Sequence, residues 1–128
     1  MKYVVIVLSL IAFDTFAVGF TGCWSSSNNT SSYVIKLAEK GKDVRGSYCF
    51  INSNGNKTDC DKNLSIIEGV ISNNRLSVTF GGAGKGLITK NNNAIMLSMV
   101  DKKPFDDFNM HIPDKLNLNQ TKNCNIPN

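Results

Sequence analysis

An antiparallel up-and-down β-barrel of about eight short strands, stapled by disulfides, is the fold this sequence predicts. Three observations carry it. Apolar residues recur at alternate positions in segment after segment between residues 20 and 100. Turn-forming residues separate those segments at regular intervals. No window before residue 101 carries an extended helical period. Sequential strands joined by tight turns are antiparallel neighbours, and a set of this size can close on itself and remove both edges. The alternative arrangement of the same strands is a two-sheet β-sandwich.

A first strand is placed around Trp24. Tyr33, Ile35 and Leu37 alternate with Val34, Lys36 and Ala38, and residues 39–43 turn the chain. Val44, Gly46, Tyr48 and Phe50 alternate with Arg45, Ser47 and Cys49 as far as Asn52. Asn54-Gly55 is the strongest short hairpin signal, because a type I′ turn needs positive φ at both residues. A short strand follows over residues 57–60. Ile67, Gly69 and Ile71 share one face, and Asn73-Asn74 returns the chain. On the next strand Leu76, Val78 and Phe80 are expected inside, with Arg75, Ser77 and Thr79 more exposed. Residues 81–84 turn into Leu87-Ile88-Thr89, and residues 91–93 lead to Ile95, Leu97 and Met99. Asparagine suits these turns because it tolerates positive φ and bonds its own backbone.

Residues 101–128 hold all three prolines, Pro104, Pro113 and Pro127. They read as a mostly irregular tail packed on the barrel, with at most a short helix. The barrel domain itself is expected over residues 20–100.

Residues 1–19 read as a secretory signal peptide: Lys2, an apolar run over residues 3–13, then a more polar stretch. Ala17 and Gly19 satisfy the small-x-small rule, so the mature chain would begin at Phe20. The apolar run is too short to span a membrane. The mature chain keeps 109 residues and a net charge of +4, enough for one domain. Localisation is therefore expected to be periplasmic or secreted. The alternative reading takes residues 20–23 as a lipobox, with Cys23 lipidated and the protein anchored to the envelope. Asn28, Asn29, Asn56, Asn63 and Asn119 head N-x-S/T sequons, which matter only in a eukaryotic secretory pathway.

Phe20-x-Gly22-x-Trp24, followed by the strand meander, resembles the calycin barrels, the group of lipocalins and avidin-like proteins. The resemblance implies that Gly22 and Trp24 sit on the first strand and that Trp24 closes the barrel floor. It carries over no ligand-binding residue.

Four cysteines allow three pairings. Cys49 and Cys60 flank the Asn54-Gly55 turn, so folding that hairpin brings them together. Cys23 and Cys124 are then left to join the two ends of the mature domain. A zinc site would be the functional alternative, but no C-x2-4-C pair exists and His111 is the lone histidine. No metal and no cofactor are expected.

Little else points to catalysis. His111 would need a nucleophile and an orienting carboxylate. Asp59 with Asp61, and Asp106 with Asp107, are the candidate carboxylate pairs for glycan hydrolysis. Glu68 faces away from Ile67 and Ile71 and reads as a solvated outer residue. Residues 82–86 (GAGKG) lack the GxxxxGK[ST]-helix context of a P-loop and read as a flexible hairpin tip. Basic residues are not clustered, which argues against nucleic acid. The segments left for contact are that tip, with Gly82, Gly84 and Lys85, and the segment around Phe105, Phe108 and Met110. The latter either packs the tail or presents an anchor to a partner.

These observations point to an exported binding protein rather than an enzyme. Its most concrete form is an inhibitor or immunity factor for an envelope or secreted enzyme, such as a peptidoglycan hydrolase. The positive charge favours a neutral or acidic protein partner. The alternatives are a calycin-like carrier of a small apolar ligand and, third, a small hydrolase.

Overall fold

The alternation becomes strand throughout the region where it is read. The computed structural model describes residues 19–52, 56–61, 63, 65–107, 110, 112–122 and 124. Residues 1–18, the Asn54-Gly55 pair, Phe108 and His111 lie outside the described residues.

Nine strands lie among the described residues: β1 (Gly22–Ser27), β2 (Ser31–Lys40), β3 (Asp43–Asn52), β4 (Lys57–Asp61), β5 (Ile67–Ser72), β6 (Arg75–Phe80), β7 (Lys85–Asn91), β8 (Ala94–Asp101) and β9 (Lys115–Thr121). One short helix, α1 (Lys103–Asp107), stands between β8 and β9. Eight strands close a barrel in the order β1, β2, β3, β5, β6, β7, β8, β9 and back to β1, every neighbour antiparallel. The first part of β3 pairs with β5 and the last part with β4. β4 therefore extends the wall beyond β5 and is not a ninth stave.

The tail departs from expectation. Residues 115–121 are not irregular: they form β9, which pairs with both β8 and β1 and closes the barrel. Leu116 and Leu118 point into the core, while Lys115, Asn117 and Asn119 are exposed. The barrel wall thus runs to residue 121, and residues 102–114 carry the connection that was expected to extend to the end.

The three asparagine and glycine turns at one end hold β2 to β3, β5 to β6 and β7 to β8. Asn73 and Asn74 have φ of 53° and 63°, the left-handed conformation that a two-residue hairpin turn requires. In the wall, a side chain at Gly46 would run into the Lys36 carbonyl oxygen. Its bare Cα lets β2 and β3 approach at that point.

The interior is filled by the chain's own side chains. Ile35, Val44, Phe50, Ile67, Leu76, Ile88, Leu97 and Leu118 are wholly buried. At the end opposite the asparagine turns, Tyr48, Phe50, Phe80 and Phe105 form one aromatic cluster. Its ring centroids lie 4.8 Å apart for Tyr48–Phe50, 5.6 Å for Phe50–Phe105 and 5.9 Å for Phe80–Phe105. Such separations are those of favourable edge and offset contacts. At the other end Trp24 is buried, and its indole Nε1 donates to the Phe20 carbonyl at 3.0 Å. Leu76, Val78 and Phe80 are buried and Arg75 and Ser77 exposed, as the register demands.

Both bridges form as read. Cys49 and Cys60 face each other across β3 and β4 with Cα atoms 3.9 Å apart. Cys23 and Cys124 join β1 to the chain beyond β9, with Cα atoms 5.5 Å apart. The sulfur that lipidation would use is committed to this bridge. Disulfides are typical of exported proteins, and among the described residues no helix is long and apolar enough to cross a membrane.

Candidate interaction surface

The contact segments read from the sequence do come together. The turn at residues 81–84 joins β6 to β7 at the end where α1 caps the barrel. A side chain at Gly84 would meet the Asp101 carbonyl oxygen at 2.7 Å and the Phe105 ring at 3.1 Å. Gly84 is buried there, whereas Gly82 and Lys85 are exposed.

Of the segment expected to present an anchor, Phe105 and Met110 do not reach solvent. Phe105 is 0% exposed and Met110 2% exposed. The Met110 amide donates to the Phe105 carbonyl at 2.9 Å, so the segment folds back on itself with both side chains inward. A ring this large gains more by burial at the open barrel mouth than it could on the surface. These two residues plug the barrel and offer no contact to a partner in this arrangement. The base of the plug is tied by Lys102, whose Nζ lies 2.7 Å from Asp114 Oδ1 and donates to the Ile112 carbonyl at 3.1 Å. The hydrogen bond to Asp114 pushes the Lys102 amine up and holds the Asp114 carboxyl down.

Of the candidate acid–base groups, Glu68 lies on the outer wall, paired with Arg45 at 3.0 Å. Asp59 accepts a hydrogen bond from the Tyr48 hydroxyl at 3.1 Å, and Asp61 accepts one from the Asn63 amide at 2.8 Å. Burial, then the Asp59 charge, push the Tyr48 phenol well above the ordinary range. Because the raised group is neutral in the fold, its stabilisation is complete below the unfolded tyrosine value of about 10 and is lost as pH rises beyond it. Phenolate absorbance is expected to show a late step from Tyr48, together with alkaline unfolding. In Tyr48→Phe that late step should disappear.

What the sequence reading left aside is the outer wall over β5 to β8. Asp43, Val70, Ser77, Leu87 and Ser98 are successive cross-strand neighbours, and Arg45, Glu68, Thr79 and Lys85 form the row beside them. Ser77 and Thr79 are short and lie between taller residues. Two grooves share them: one of about 340 Å³ towards Lys85, Leu87 and Val100, the other of about 330 Å³ towards Arg45, Glu68 and Val70. Val70 and Val100, 54% and 72% exposed, are the exposed large hydrophobic side chains among the described residues, and the partly exposed Leu87 lies between them on the same wall. The signal was present as valine at positions whose alternation faces water, at Glu68-x-Val70 and Ser98-x-Val100.

No protein-family model, curated protein or solved structure matches this chain. The strands themselves establish the fold: a closed eight-stranded antiparallel barrel, consistent with a calycin-like one.

Proposed function

We propose that this is an exported, non-catalytic binding protein that inhibits, or confers immunity against, an envelope or secreted enzyme such as a peptidoglycan hydrolase. One observation carries the reading. The barrel interior is packed with the chain's own rings and aliphatic side chains, while Val70 and Val100 stand in solvent on the outer wall. Binding is then a matter for the outside.

The contact surface consists of the Ser77–Thr79 grooves, their valine walls and the adjoining tip with Gly82 and Lys85. It takes over the role expected of Phe105 and Met110. Lys85, Arg75 and Lys115 border it, against Asp43 and Asp101, with Arg45 and Glu68 paired to each other. Together with a chain charge of +4 this favours a neutral or acidic partner face. Two disulfides and the leader pattern support export. Kinship with calycins is proposed on Gly22 and Trp24 of β1, with Trp24 buried at the barrel floor. Carriage of an apolar ligand draws less support, since a ligand inside would have to displace Phe50, Phe80 and Phe105.

The test is inhibition of a panel of exported peptidoglycan hydrolases by the purified protein. A loss of turnover that saturates at equimolar protein is expected for at least one. No loss across the panel would overturn the reading. So would turnover by the protein itself that vanishes in His111→Ala.

A further inference from the structure

Glu39 sits near the end of β2, beside Phe20. Its Oε1 accepts the backbone N–H of Phe20 at 2.8 Å. Three further features hold that junction in place. The Phe20 ring is 6% exposed, packed into the core. The Phe20 carbonyl accepts Trp24 Nε1 at 3.0 Å, and Thr21 Oγ1 accepts the Glu39 amide at 3.0 Å. Phe20 is thus fixed by ring, carbonyl and nitrogen, and its nitrogen is aimed at a carboxylate.

We propose that Glu39 is the receptor for the α-ammonium of the mature chain, generated by cleavage between Gly19 and Phe20. The inference rests on the reading of residues 1–19 as an export signal, and not on the inhibitor reading. In the cleavage, a signal peptidase adds water across the peptide bond. The hydroxyl goes to the Gly19 carbonyl carbon as the C–N bond breaks, and the Phe20 nitrogen leaves as an amine that takes up a proton at neutral pH. At that atom a neutral amide donor becomes a cation with three donors, and a hydrogen bond charged on the acceptor side alone becomes an ion pair. Processing would therefore tighten the barrel floor at the moment the leader is removed.

Gly19 fits both steps. A peptidase of this class needs a small residue there. A side chain at 19 would also meet Glu39 Oε1 at 2.6 Å and push the carboxylate off the Phe20 nitrogen. The surrounding groove, about 540 Å³, is lined by Glu39 from β2, Ile71 and Asn74 from the β5–β6 hairpin and Lys90 and Asn92 from the β7–β8 hairpin. Glu39 is the anion among those residues, and Lys90 the other charged group. Cleavage a few residues earlier would carry the new charge away from Glu39.

The experiment is export of the full chain from a bacterial host, followed by intact mass and N-terminal sequencing, then melting of the processed protein. A single N-terminus at Phe20 is expected. Glu39→Gln, which keeps a neutral acceptor, should lower the melting midpoint of the processed protein by about 4 °C or more. In processed protein acylated selectively at its α-amine, the same substitution should change the midpoint little. An exported chain that begins elsewhere would overturn the proposal and leave the inhibitor reading standing. An equal loss in both forms would overturn it too, since Glu39 would then be acting on an amide. A chain that keeps residues 1–19 would defeat both this proposal and export.

Discussion

Phe105→Ala is expected to destabilise the protein by about 3–5 kcal/mol, the cost of emptying a large buried aromatic site. The ring is 0% exposed and touches Tyr48 and Phe50 of β3 and Phe80 of β6. A cavity at the barrel mouth would leave those three rings without a partner on one side. It would also release α1, whose buried residue is Phe105. Urea unfolding checks the value, and a loss under 1 kcal/mol would mean that the plug is not part of the core. The result matters for function because it separates two roles for this segment. A partner-facing aromatic could be removed with little effect on stability, whereas a plug cannot.

The second large effect is on the bridge that joins the two ends of the barrel. Cys23 and Cys124 are separated by 101 positions, and Cys49 and Cys60 by 11. In the chain-entropy account, removing the longer closure costs about 4–5 kcal/mol and the shorter about 3 kcal/mol. Replacing Cys23 and Cys124 together by serine should therefore lower stability more than replacing Cys49 and Cys60 together. The structure adds a second reason for the same order. The longer bridge holds the chain just beyond β9, the strand that closes the barrel between β8 and β1. The shorter one ties β4, which lies outside the closed ring. Denaturant midpoints of the two paired variants decide it, and the reverse order would show that β9 stays docked without its staple.

Period-two alternation is strong wherever one face of a long strand is buried, so most of the wall from β2 to β8 was legible, although Ser47 and Cys49 of β3 are buried along with Tyr48 and Phe50. Leu76, Val78 and Phe80 needed nothing beyond their spacing. The disulfides were legible for a related reason: the hairpin that sets β3 against β4 leaves one sensible partner for each cysteine. β9 was not legible, because Leu116 and Leu118 give just two inward apolar positions, set among asparagines, near the prolines. Its pairing is dictated by the two open edges it fills, a tertiary demand that local pattern does not record. The fate of Phe105 was hidden in the same way. Aromatics in a proline-bounded polar segment satisfy either an interface or a barrel mouth, and the choice depends on whether the mouth is otherwise open. The outer-wall valines were visible as breaks in the alternation, but they carry meaning only once the register sets them around Ser77 and Thr79.

The claim that this barrel works through its outer wall is tested most directly by titrating a susceptible peptidoglycan hydrolase with the Val70→Asp, Val100→Asp double variant. Both side chains stand mainly in water, so the variant should keep its fold, losing about 1 kcal/mol or less per site. If the outer wall is the contact, inhibition should weaken by about 30-fold or more, the cost of losing interface anchors. A double variant that inhibits as tightly as the unsubstituted protein would contradict the account.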